Sequence, residues 1–169
     1  MMMLAVLPAF SSLAQYRSGS RYQELNDSET ISSLKSEIRY LSSAILEGRK
    51  AGTEGERLAA EFVSEKFASY GVDLLTPVSG ETFGVRKENG DTVTSRNVIG
   101  FVQGYDKSLR DRYIVVGARL DNLGTMDMTG DGHKVERIYV GANGNASGLA
   151  MMIELARMVQ TNAVMFRRS

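Results

Sequence analysis

The run 113–117, YIVVG, is apolar on both of its alternating faces. Such a run is typical of a strand buried on both sides, and a sheet with two buried faces needs helices above and below it. We therefore predict an α/β fold, a three-layer helix–sheet–helix arrangement around a mixed central sheet. Short strands are also predicted at 72–75, 82–86, 97–102 and 138–140, and a polar loop at 124–132.

Three helices are predicted from periodic apolar residues. The first follows a cap at Asp27 or Ser28, repeats apolar residues at steps of three and four from Ile31 to Ile45, and ends at Gly48. This spacing places the apolar side chains on one face, which is typical of a helix that packs on a core.

The second helix has signals at both ends. Thr53 and Glu56 match the T-x-x-E capping box, and Gly71 suits the position just past a helix that ends near Tyr70. Its predicted buried residues are Leu58, Phe62, Val63 and Phe67. The third helix is predicted from an N-cap at Ser147 through Val159.

Composition excludes several classes of protein. The 169 residues suit one domain, and 20 basic residues balance 20 acidic ones, which argues against capture of nucleic acid or anionic lipid. The chain has no cysteine, which excludes thiolate zinc sites, and its single histidine, His133, excludes an HExxH site. His133 could join Asp127 and Asp131 around a cation, but the pattern of a calcium loop is incomplete and a solvated loop is favoured.

The N-terminal residues are apolar and uncharged over MMMLAVLPAFSSL. We interpret 1–14 as a signal peptide cleaved before Gln15, 15–26 as a linker and 27–169 as a single domain, and we expect export from a bacterium. The alternatives are a disordered apolar terminus and an N-terminal helix packed on the core. This run is too short to span a membrane as a helix, and no other apolar run is long enough for an integral membrane segment.

Four segments resemble the zinc-dependent exopeptidases of the bacterial leucyl aminopeptidase type, which are related to glutaminyl cyclases. They are 46–72 (LEGRKAGTEGERLAAEFVSEKFASYGV), 95–104 (SRNVIGFVQG), 113–124 (YIVVGARLDNLG) and 141–157 (GANGNASGLAMMIELAR). The resemblance implies a zinc-exopeptidase fold and aminopeptidase chemistry, in which two zinc ions activate a water molecule.

The resemblance also indicates a degenerate site. Arg119 stands where the family has a zinc-binding histidine, and Gly144 stands where it has a bridging aspartate. Asp121 matches an aspartate that supports that histidine, and here it could pair with Arg119. Arginine has no lone pair to donate and glycine has no carboxylate, so we expect no catalytic residue and no zinc in this chain.

The predicted function is that of a zinc-aminopeptidase-like pseudoenzyme that binds a peptide or a small anion. The pocket residues would be Arg119, Asn143, Asn145 and Ser147. Two alternatives stay open: an active metal-dependent aminopeptidase whose divergent ligand set is completed beyond Ser169, and a structural or interaction domain. We also expect the chain to be a fragment whose open sheet edge is covered by a missing C-terminal half or by dimerisation.

Overall fold

The computed structural model describes residues 28–109, 111–130 and 133–169. The helices are α1 (Glu29–Leu41), α2 (Glu54–Ser69) and α3 (Ser147–Thr161), with 3-10 turns at Ala44–Leu46 and Ala163–Met165. The strands are β1 (Asp73–Leu74), β2 (Glu81–Arg86), β3 (Thr92–Asn97), β4 (Gly100–Phe101), β5 (Gly124–Gly130) and β6 (His133–Tyr139).

Within the described ranges the strands form three antiparallel pairs, β1 with β4, β2 with β3 and β5 with β6. Two helices precede the six strands and one helix follows them, and the α/β class is confirmed. The strand predicted at 113–117 is wrong, because no described strand pairs with it and Val115 is 90% exposed. A run of this kind is buried only when other strands flank it and helices cover the sheet.

Helix α1 begins where the sequence predicts. The backbone N–H of Ile31 donates to Ser28 Oγ at 3.3 Å, which confirms Ser28 as the cap. The helix ends earlier than predicted, at Leu41, because Ser42 Oγ donates back to the carbonyl of Ile38 at 2.6 Å and the chain then turns. Ile45 is consequently 70% exposed rather than buried.

Helix α2 ends in a Schellman motif around Gly71. Gly71 has a φ of 76°, its N–H donates to Ala68, and the N–H of Val72 donates to Phe67 at 3.0 Å. Val63 and Phe67 are buried as predicted, and Leu58 and Phe62 are partly buried.

The predicted capping box at the start of α2 is wrong. Thr53 Oγ1 donates to the carbonyl of Lys50 at 2.7 Å and makes no cap bond. Glu56 is fully buried and accepts from the N–H of Gly52 at 2.8 Å and from Ser95 Oγ. Tertiary structure offers this carboxylate a buried partner on β3 that a local motif cannot anticipate.

Two predictions near α3 are also wrong. Ser147 has helical angles (φ −63°, ψ −43°) and lies inside the helix, after a π-helical turn at Ala142–Ala146, and no side chain caps α3. The loop predicted at 124–132 is largely strand, since β5 and β6 form a hairpin in which Gly124 opposes Tyr139.

The core lies between the three helices. One buried cluster joins Leu41, Leu46, Ala59, Ala146 and Leu149, and a second joins Val63, Phe67, Val72 and Ile153. The first cluster fixes the start of α3 against α1 and α2, so it holds the loop at 141–146 in place.

The described helices are all too short or too polar to cross a lipid bilayer. The predicted signal peptide and linker, the cap at Asp27 and Asp131 lie outside the described residues.

Candidate functional site

Arg119 and Asp121 form an ion pair at the end of the extended run that follows residue 117. Arg119 Nε lies 3.3 Å from Asp121 Oδ1, so the structure contains the ion pair that the sequence suggested. The two side chains are 65% and 41% exposed. An ion pair this exposed contributes at most about 1 kcal/mol, so the pair orients the guanidinium more than it stabilises the fold.

The loop before α3 meets this ion pair. Asn145 Nδ2 lies 3.5 Å from the carbonyl oxygen of Arg119, at the limit of a hydrogen bond. Asn143 is exposed, whereas Asn145 and Ser147 are half-buried. The structure therefore brings Arg119 and Asn145 together, and places Asn143 and Ser147 on the same loop and helix start.

Gly144 leaves open space between the two segments. A Cβ built on Gly144 would meet Asn122 Oδ1, at 4.0 Å, as its nearest neighbour. Its φ of −134° is accessible to any residue. A larger side chain at this position would fit without strain, and the glycine is not required by packing.

Arg49 connects both segments, a role that the sequence pattern does not predict. Its side chain is fully buried and its backbone is left-handed, with φ of 50°. Its donors reach four backbone carbonyls, those of Leu41, Leu120 (3.1 Å), Val140 (3.0 Å) and Gly141 (3.2 Å). One guanidinium thus joins the end of α1, the Arg119 segment and the loop before α3.

Burial is the main cause that lowers the pKa of Arg49, with Asp121 acting in the opposite direction and Arg119 adding to the effect. An arginine retains its charge under all ordinary conditions. In the sequence, Arg49 is recognisable only as a cation within the segment LEGRKAGT. Its partners Leu120 and Gly141 lie 71 and 92 residues further along the chain. No local pattern identifies them.

Asn122 also connects the segment after Arg119 to its neighbours, through two hydrogen bonds. Its Nδ2 donates to the carbonyl of Tyr139 at 2.6 Å, and its backbone N–H donates to the carbonyl of Arg49 at 2.9 Å. The residue after Asp121 is therefore tied both to the end of β6 and to the buried arginine.

A cavity of about 210 Å³ opens beside the ion pair. Its polar residues include Glu56, Ser95, Arg96, Arg119 and Asp121, and its apolar residues include Val63, Phe83, Val98, Leu149 and Met152. Helix α2, strand β3, the segment 118–121 and helix α3 enclose it.

The side chains present do not fit a dizinc centre. Across the ranges that the structure describes, no three His, Cys, Asp or Glu side chains come together as a metal site. The carboxylate of Asp121 is paired with the guanidinium of Arg119, and that guanidinium has no lone pair to donate to a metal ion. What the arrangement offers is guanidinium and amide donors beside an apolar wall.

Comparison with known proteins finds a peptidase-like match in residues 97–169 and a structural match over most of the chain. Residues 97–169 match peptidase family M28. The crystal structure of Tannerella forsythia glutaminyl cyclase is similar with a TM-score of 0.52 and 16% identity, over 81% of this chain and 44% of that chain. No curated protein matches significantly.

The resemblance to zinc-dependent exopeptidases and glutaminyl cyclases is confirmed by these two matches. At 16% identity the structural match shows the fold. The chain spans less than half of the length of the glutaminyl cyclase chain, so activity and substrates are proposals here.

Proposed function

We propose that this chain is a non-catalytic, zinc-aminopeptidase-like protein whose site binds a peptide or a small anion. The observation that supports it most is the guanidinium of Arg119, held by Asp121 at the junction of the two motif segments. A fixed cation at this point repels a zinc ion and attracts an anionic group.

Loss of ligands in two separate motifs supports the loss of catalysis. A co-catalytic zinc pair requires lone-pair donors from both segments, and here the matching positions are Arg119 and Gly144. We assign no reaction step to any residue of the site, and we treat Asn143, Asn145 and Ser147 as further binding residues.

The first experiment measures zinc and anion binding by the same purified chain. We expect no zinc uptake at micromolar metal, and an increase in Tm on addition of acetate or phosphate. A ligand at 100 times its Kd adds about 2.7 kcal/mol to the free energy of unfolding. Arg119→Met should weaken the anion effect, whereas Arg86→Met, an exposed arginine on β2, should retain it.

Stoichiometric zinc binding together with hydrolysis of an aminoacyl anilide would overturn the proposal in favour of an active enzyme. A chain that binds neither zinc, acetate nor phosphate would instead be a structural or interaction domain.

A double variant tests whether the two positions face a common point. Arg119→His with Gly144→Asp places an imidazole beside a carboxylate, and the open space at residue 144 accommodates the latter. We expect at least a tenfold gain in zinc affinity, about 1.4 kcal/mol. Wild-type affinity in the double variant would contradict the assignment of these positions.

Export is also part of this proposal, and it is supported by the apolar, uncharged residues 1–14. Mass spectrometry of the mature chain from a bacterial host should give an N-terminus at Gln15. An intact N-terminus in the cytoplasmic fraction would contradict export.

A further inference from the structure

The cavity beside Arg119 contains a second arginine that is short of partners. Arg96 lies on β3 with its side chain 12% exposed, and its buried Nε has no hydrogen-bond partner within the described residues. One terminal nitrogen, Nη1, donates to the carbonyl of Ser79 at 3.3 Å. A desolvated guanidinium with an unused donor favours an anionic ligand, because buried donors without partners are costly.

The nearest carboxylate does not satisfy Arg96. Glu56 Oε2 lies 3.9 Å from Arg96 Nε, beyond hydrogen-bonding distance. That oxygen accepts from the N–H of Gly52 at 2.8 Å, and Oε1 accepts from Ser95 Oγ. Glu56 is therefore held in place by other donors, and Arg96, which lines the cavity, has a buried Nε without a hydrogen bond to any residue that the structure describes.

The charges around the cavity limit the charge of a ligand. Arg96 lies near Glu56, and Arg119 is paired with Asp121, so the fixed charges nearly cancel. Nearly balanced fixed charges favour a ligand that brings a single negative group to the guanidinium of Arg96.

The opposite wall is apolar. Val63, Phe83, Val98, Leu149 and Met152 line it. A cavity of about 210 Å³ is smaller than most pockets for drug-sized ligands and suits a small molecule. An aliphatic body of a few carbon atoms would lie against this wall.

We propose that this cavity binds a small apolar carboxylate, with the carboxylate on Arg96 and the aliphatic body against the wall of Val63, Leu149 and Met152. The same chemistry is offered by a free branched-chain acid and by the C-terminal leucine or valine of a peptide. This inference rests on the proposed function, in which the site binds a ligand without cleaving it, and it names the class of that ligand.

The experiment compares acetate, butanoate and 3-methylbutanoate by calorimetric titration of the full chain. Each methylene that enters the apolar cavity should tighten binding about fourfold, since a buried methylene contributes roughly 0.8 kcal/mol. The peptide arm uses N-acetylglycyl-leucine and its C-terminal amide, which differ only in the carboxylate. Binding of the acid without binding of the amide identifies a peptide C-terminus as a second source of the ligand.

Arg96→Met should weaken 3-methylbutanoate at least tenfold, while Arg86→Met on the neighbouring strand of the same hairpin should not change it. Arg96→Lys, which preserves the positive charge, covers the case in which Arg96→Met does not fold. It should bind 3-methylbutanoate more tightly than Arg96→Met and more weakly than the wild type. Affinity that is independent of chain length, or unaffected by Arg96, would overturn this inference. If acetate and phosphate bind at Arg119 but the aliphatic series shows no trend, the proposed function stands and the inference fails.

Discussion

Arg49 Nε donates to the carbonyl oxygen of Leu120 at 3.1 Å, directly before the Asp121 that holds Arg119. The same guanidinium reaches Gly141 at 3.2 Å, where the loop before α3 begins. The spacing of the two motif segments is thus set by one side chain that neither segment contains. This relationship supplies the first of three predictions.

Arg49→Met should destabilise the fold strongly. The substitution removes donors from four carbonyls, and each buried group left without a partner costs about 1–3 kcal/mol. We expect a loss of at least about 3 kcal/mol in the free energy of unfolding, measured by urea denaturation. Arg39→Met, an exposed arginine on α1, is the control and should stay within about 0.5 kcal/mol of wild type. Equal stability of the two variants would show that Arg49 is not the link described above.

Glu37 should make stability fall as pH rises. Burial raises the pKa of this fully buried carboxyl above 4.5, the effect of nearby Glu154 adds to it, and Lys66, 3.3 Å away, opposes it. The folded state then binds the proton more tightly than the unfolded state. The free energy of unfolding therefore decreases from pH 4.5 until the folded pKa is passed, and is constant above it.

Glu37→Gln removes this titration. Urea unfolding at several pH values should show that the free energy of unfolding of the variant increases relative to that of the wild type as pH rises from 4.5. Glu65→Gln, at an exposed position of α2, serves as the control and should follow the wild type. The prediction is contradicted if the wild type gains stability relative to Glu37→Gln over that range.

Gly71→Ala should cost about 1–2 kcal/mol, because residue 71 has a φ of 76° and an L side chain is strained there. A Cβ at this position would lie 3.6 Å from Gln160 Nε2, which is ordinary contact, so the cost comes from the backbone alone. Gly71→Asn is the matched control, since asparagine tolerates the left-handed region better. Thermal unfolding should rank the glycine first, asparagine second and alanine third, and any other order would contradict the backbone explanation.

The features that sequence predicts well here are decided by neighbours in the chain. The cap at Ser28 is a bond over three residues, and the end of α2 at Gly71 needs only a left-handed backbone. Both follow from rules about helix ends. The pairing of Arg119 with Asp121 is likewise local.

The features that sequence misses depend on distant partners. Glu56 does not form the expected capping box, because its carboxylate accepts a hydrogen bond from Ser95, 39 residues away. The run 113–117 has the composition of a central strand, but strand formation requires a neighbouring strand as well as suitable residues. Arg49 and Arg96 stand out through burial, which the charge pattern of a sequence does not reveal.

The carbonyl contacts of Arg49 also bear on how such a site can change over time. In many metal sites the bound ion itself holds the ligand segments at their proper distance, so the loss of one ligand frees the whole arrangement. Here a permanent organic cation performs that task from within the protein core. Substitutions at the surface of the site should therefore leave the spacing of its segments unchanged as long as Arg49 keeps these contacts.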